Sequence, residues 1–182
     1  WIGYRNTIFY VLFGTTTSVI VTIMAAYSLS RDSLPGRNLI MGMMVFTMYF
    51  SGGLIPTYLT MRTLHLINKP IIIIILGAFS VYNMIIARTY FVTSIPKELY
   101  DSAIIDGAGH FTFFTKIVLP ISKPIIAVIA LYFFVSQWNG FFNALIYLND
   151  SNYYPLQLVL RSILLESSAF SQNVSSIGQL GE

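Results

Sequence analysis

An all-α, polytopic transmembrane helical bundle is the fold class this sequence predicts. Three observations carry the prediction: the scarcity of charge, the length of the uncharged runs, and the gathering of charges between them. Of the 182 residues only 9% are charged, while 55% are hydrophobic. A soluble domain carries about 25% charged residues, so lipid suits this surface better than water. The uncharged runs 6–30, 38–61, 70–87 and 124–149 each come near the ~20 residues that cross a hydrocarbon core about 30 Å thick. Inside lipid every backbone amide needs a partner within the chain, so each run is expected to be a helix.

The first run has no interruption. The second contains Ser51-Gly52-Gly53 and Pro56, residues that weaken a helix and mark close helix packing or a break. The third opens with Pro70 and the isoleucines 71–75. Their apolar stretch exceeds strand length, so a lipid-facing helix is expected despite the β-branching.

Between the third and fourth runs, residues 88–123 collect Arg88, Lys97, Glu98, Asp101, Asp106, Lys116 and Lys123. Ser94 with Pro96 predicts a helix start, because serine caps free amides and proline suits a first turn. That helix runs toward Ile105, Gly107 and Gly109 permit a turn, and a second short helix with Phe113, Phe114 and Ile117 is expected to stop near Pro120. After Asp150 the segment 155–165 is apolar but holds Arg161, then turns polar at Glu166-Ser167-Ser168. It is expected to be an external loop with a surface helix, not a span.

Lysine and arginine favour the cytoplasmic side in short loops. Arg31, Arg37, Arg88, Lys97, Lys116 and Lys123 fall on one side of the predicted spans, against Arg5, Arg62, Lys69 and Arg161 on the other. The patterned loop is therefore expected inside. The net charge of +3 is dispersed and the chain has no cysteine, which argues against nucleic acid, a disulfide framework and thiolate metal sites. No His-Glu-x-x-His, Gly-x-Ser-x-Gly or phosphate-loop pattern occurs, so neither a membrane enzyme nor ATP hydrolysis on this chain is expected. The chain opens at Trp1 without methionine and ends within a segment, and is expected to be a fragment.

The loop reads Ile95-Pro96-Lys97-Glu98-Leu99-Tyr100-Asp101-Ser102-Ala103-Ile104-Ile105-Asp106-Gly107-Ala108-Gly109, then Ile117-Val118-Leu119-Pro120. It resembles the cytoplasmic "EAA" loop of binding-protein-dependent ABC importer permeases, in which Glu-Ala-Ala, two residues and Asp-Gly-Ala precede Ile-x-Leu-Pro. Asp101-Ser102-Ala103 departs from Glu-Ala-Ala at two residues but keeps acid-small-small, and the other elements match. The segment 25–31, Pro35-Gly36-Arg37 and Gln137-Trp138-Asn139 are similar to the sugar branch, in particular the second permease subunit of maltose-type importers. Within that branch, permeases for plant- or algal-derived oligosaccharides look nearest.

The resemblance implies a type I ABC importer permease fold with cytoplasmic coupling helices. Residues 1–182 would be one transmembrane domain with about four spans, lacking the family's first and last. It implies a multi-pass location in the bacterial cytoplasmic membrane, a partner ATP-binding subunit that holds the ATP, a second permease subunit in a heterodimer, an external solute-binding protein and a sugar substrate. No cofactor or metal is implied on this chain.

Asp101, Ser102, Ala103, Asp106, Gly107 and Ala108 are implied as the element docking on the ATPase through loop 94–120. From spacing alone Asp101 is a solvated acid, and Asp106 reads equally as an acceptor fixing the turn. Asn83, Gln137, Trp138, Asn139 and Asn143 are candidates for the substrate path, against interhelical hydrogen bonding or an interfacial aromatic role for Trp138. His110 reads as a surface residue. A membrane anchoring protein would explain the spans but not the loop, whereas an importer for peptides or amino acids would share the loop.

Overall fold

A computed structural model of the chain describes residues 1–179, and among them the chain is helical, without strands. Helix α1, Ile2–Ser30, covers the first run without interruption and is, among the described residues, the one helix long and apolar enough to cross a membrane unaided. It is the axis of the molecule, packing along α5 (Val81–Ser94) and α8 (Lys123–Asn139). Its buried stripe includes Gly14, Ser18, Thr22 and Ala26; small side chains let neighbouring backbones approach where apolar burial cannot drive helices together in lipid.

The other three runs are divided, the second at the point where a break is one of the two readings and the third and fourth against the expectation of continuous helices. The second run divides into α2 (Arg37–Tyr49) and α3 (Leu54–Thr63), bent by 111°. Gly53, with φ at +86°, sits at the bend in a conformation that side-chain-bearing residues resist. The third run divides into α4 (Ile71–Leu76) and α5, with Gly77 to Ser80 between them. Ser80 caps α5 by accepting the Asn83 amide at 3.4 Å. The fourth run breaks at Gly140 into α8 and α9 (Phe142–Tyr147). Each bent pair α2–α3 and His110–Ile121 with α8 has the length and composition of a span if taken as one.

The tail forms α10, Leu156–Gln179, and it does not meet the composition of a span among the described residues. Leu158 packs inward while Ile163, Leu164, Leu165 and Phe170 are exposed. Arg161 lies over the Phe141 ring at 4.9 Å.

Two buried clusters mark the two ends of the bundle. One gathers Leu29, Phe91, Ala103, Phe113 and Val118 beside the patterned loop. The other gathers Tyr10, Ile72, Ala144, Tyr147 and Leu158 at the opposite end. There the Asn6 side chain donates to the carbonyls of Asn152 and Tyr154, the Tyr10 hydroxyl donates to Tyr153, and Thr7 accepts the Leu156 amide. The ends separate the cations as expected, with Arg31, Arg37, Arg88 and Lys97 around one cavity and Lys69 and Arg161 in or against elements of the other end.

Candidate coupling loop and polar clefts

The patterned loop folds into α6 (Lys97–Ile105) and α7 (His110–Ile121). Its start differs from expectation: Ser94 ends α5, and Pro96 is the residue preceding α6, with no side-chain cap. Ile95 between them is buried at 8% exposure, which anchors the junction in the core. The second helix ends at Ile121, next to Pro120, as expected. A widened π-helical turn at Phe114–Val118 precedes the proline, and the chain bends by 79° at Ser122. Proline lacks the amide that an unbroken α-helix would use, and a π turn shifts register where that bond is missing.

The turn after α6 is held by backbone. Gly107, at φ +77°, donates to Ile104 at 2.9 Å, and Ala108 donates to Ala103 at 2.9 Å. This pair of bonds around a left-handed glycine is the Schellman arrangement. The Asp106 carboxylate accepts no hydrogen bond among the described residues, so the backbone fixes the turn without it.

Asp101, Ser102, Asp106 and Gly107 are exposed, Ala108 is half-buried and Ala103 is buried against Phe113 and Val118. The element thus has an inner side anchored by Ala103 and an outer side carrying two carboxylates. Ser102 Oγ donates to Leu99 at 3.1 Å. Beside the carboxylates stand Ile105 and Phe111, 85% and 77% exposed. Both were missed as candidates, although two large apolar residues flanking Asp106-Gly107-Ala108 in a charged loop were a signal.

Behind the loop lies a cavity of about 460 Å³ lined by Arg31, Asp32, Arg37, Arg88, Lys97, Tyr100 and Asp101. Arg88 Nε donates to the Leu29 carbonyl at 2.9 Å. Asp32 pairs with both Arg37 and Lys97. The Lys97 ammonium, then the Arg37 guanidinium, hold its carboxyl below the usual 3.8. His110 is exposed, as expected, and its Nδ1 lies 2.9 Å from the Tyr100 hydroxyl.

Of the polar candidates in the spans, the structure brings three together. Gln137, Asn139 and Asn143 line a cleft of about 220 Å³ with Ile73, Gly77 and Phe141. Asn143 also lines an adjoining cleft of about 320 Å³ formed by Ser51, Gly52, Gly53 and Thr57. The helix breaks at 51–53, 77–80 and 140–141 therefore converge on one polar region, and Gly14, in the middle of α1, backs it. A Cβ on Gly14 would lie 2.8 Å from Gln137 Nε2, and one on Gly77 2.2 Å from the same atom. Ser18 Oγ donates to the Gly77 carbonyl at 2.9 Å. Trp138 is apart from this group, stacked on Phe134 at 6.1 Å beside an apolar cavity with Ile8 and Leu12. Asn83 is also apart, 7% exposed within the first turn of α5.

This is the layout of a helical membrane component with a polar, broken-helix interior and a structured loop at one face. Comparison with known proteins names the class. The chain belongs to the family described as binding-protein-dependent transport system inner membrane component, which matches residues 8–171. It is 42% identical over 166 residues to Protein LplC of Bacillus subtilis (strain 168), covering 91% of this chain and 56% of that protein. It is likewise 42% identical over 171 residues to the polygalacturonan/rhamnogalacturonan transport system permease protein YtcP of the same organism, covering 94% of this chain and 59% of that protein.

Among solved structures it is similar to a bacterial ABC transporter involved in the import of the acidic polysaccharide alginate. The TM-score is 0.85 at 39% identity, over 89% of this chain and 57% of that one. The fold is that of a type I importer permease, and the family is one of transport components rather than enzymes. The chain spans 56% to 59% of the length of the two curated relatives.

Proposed function

We propose that this chain is part of the permease subunit of an ABC importer that carries oligosaccharides across the bacterial cytoplasmic membrane. The observation that carries the proposal is the loop 94–120. It combines the Asp101-Ser102-Ala103 and Asp106-Gly107-Ala108 pattern with a buried inner side and an exposed outer side that includes Ile105 and Phe111. In this reading the outer side seats in a separate ATP-binding subunit, which holds the ATP. A second permease subunit completes the path, and an external solute-binding protein delivers the sugar. Relatives described as a polygalacturonan/rhamnogalacturonan transport system permease and a diacetylchitobiose uptake system permease support the substrate class.

Gln137, Asn139 and Asn143 are the substrate-path residues favoured by their shared cleft. Neutral amides donate and accept hydrogen bonds as sugar hydroxyls require. Asn83 and Trp138 are less favoured, because neither faces that cleft.

The test is ATP hydrolysis by the complete transporter in proteoliposomes, with and without oligosaccharides, for the natural protein, Asp101→Lys and Gly107→Pro. Oligosaccharide stimulation that disappears in both variants, with assembly intact, supports the proposal. Full stimulation in both would remove the loop from coupling. Stimulation by peptides or amino acids alone would retain the architecture and overturn the substrate.

A further inference from the structure

Arg31, the residue directly after α1, is held in an unusual way. Its guanidinium carbon lies 4.8 Å from the ring centre of Tyr27, 4.5 Å from Tyr100 and 4.7 Å from Phe113. Those rings belong to α1, α6 and α7, so one cation joins the long axial helix to both helices of the loop. The rings also contact one another or their neighbours: Tyr100 meets Phe113 edge-on at 5.1 Å, and Tyr27 lies 4.6 Å from Phe114. Beside Arg31, Asp32 pairs with Lys97 in the first turn of α6 and with Arg37 at the start of α2.

We propose that Arg31 and Asp32 are positioning residues forming the joint through which displacement of the loop is passed to α1. The inference rests on loop 94–120 being the ATPase-docking element. A planar guanidinium attracts aromatic faces from several directions, so movement of Tyr100 or Phe113 drags the end of α1. That helix packs along α5 and α8, and its Gly14 lies against the Gln137 side chain that lines the cleft; motion at the loop thereby reaches the cleft through one rigid rod.

The joint is also incompletely satisfied. Arg31 Nε and the Tyr27 hydroxyl are enclosed with no hydrogen-bond partner among the described residues. A buried donor without a partner is a cost, and an arrangement that frees it regains that hydrogen bond.

The experiment uses the complete transporter in proteoliposomes and measures oligosaccharide uptake per ATP hydrolysed, with recovery of the ATPase on purification as the assembly control. Arg31→Gln keeps a side chain of similar reach without the cation. Its uptake per ATP should fall about ten-fold, the scale of a desolvated cation–π contact, while ATPase recovery is unchanged. Arg31→Lys, which keeps the cation, should recover part of the loss. Asp32→Asn tests the joint at an exposed position, so folding is not at stake, and should lower the ratio about three-fold. A natural ratio in Asp32→Asn together with either a natural ratio or failed assembly in Arg31→Gln overturns the joint. A loss in Arg31→Gln that Arg31→Lys does not relieve also overturns it, since the cation would then be irrelevant. If Gly107→Pro couples normally in the same assay, the docking role itself is wrong. Uncoupling by Gly107→Pro with natural Arg31 and Asp32 variants removes the joint alone.

Discussion

The carboxamide of Gln137 occupies the space that a side chain on Gly77 would need, with a Cβ there falling 2.2 Å from Nε2. The two residues come from the break after α4 and the last turns of α8, and both line the polar cleft. Alanine at 77 forces the flexible amide outward into the cleft rather than pushing backbone apart. Gly77→Ala should therefore change uptake more than stability. We expect a loss of about 1 kcal/mol in thermal unfolding with a clear rise in the sugar concentration needed for half-maximal uptake. Adding Gln137→Ala should remove the stability loss, and a double-mutant cycle with no coupling would contradict the contact.

The Gly107 turn makes a prediction of a different kind. At φ +77° an alanine costs roughly 1–2 kcal/mol, whereas asparagine tolerates the left-handed region better. Hydrogen exchange of the Gly107 and Ala108 amides should quicken in Gly107→Ala and less so in Gly107→Asn. Equal protection in both variants would mean the turn is not held as described.

Ile105 and Phe111 separate docking from folding. Being exposed, they contribute little to the fold, so Ile105→Ser and Phe111→Ser should shift stability by no more than about 0.5 kcal/mol. Binding of the ATPase subunit should weaken about ten-fold if these side chains are buried on docking. A pull-down titration against the purified ATPase reads the change.

At the opposite end, Asn68 holds the chain after α9. Its Oδ1 accepts the amides of Asn149 and Asp150, each at 3.0 Å, its own amide donates to Tyr147 at 2.8 Å, and its φ is +61°. Asn68→Ala loses both side-chain bonds and strains the backbone, for about 2–3 kcal/mol. Asn68→Gly should cost less, because only the bonds are lost. Thermal unfolding in nanodiscs distinguishes the two.

The Asp32 pairs carry a pH expectation. Its carboxyl is held below 3.8, chiefly by Lys97. A depressed acid contributes stability above its unfolded value, and that contribution disappears as pH falls through the depressed folded value. Between pH 5 and 8 both pairs should persist, and any change in uptake across that range should be identical in Asp32→Asn.

The sequence by itself determined the class of solvent, the helical content and the turn at Gly107. These follow from charge scarcity, from backbone bonding in lipid and from a glycine's backbone freedom, all of which act locally. The resemblance of residues 95–120 to a coupling loop was legible for the same reason, since the pattern is contiguous. The stop near Pro120 was legible because proline lacks the amide a helix needs, whereas Ser94 misled because it ends the preceding helix instead of capping the next. The glycines of the second run left a break and close packing both open, and the breaks of the third and fourth runs were illegible, because glycine in a membrane helix signals close packing as readily as a break. Only the tertiary structure decided that the breaks at 51–53, 77–80 and 140–141 meet around Gln137, Asn139 and Asn143, or that Arg31 lies among Tyr27, Tyr100 and Phe113. Those groupings depend on helices crossing at residues far apart in the chain, and hydrophobic patterning specifies that a helix is buried in lipid without specifying which neighbour it meets.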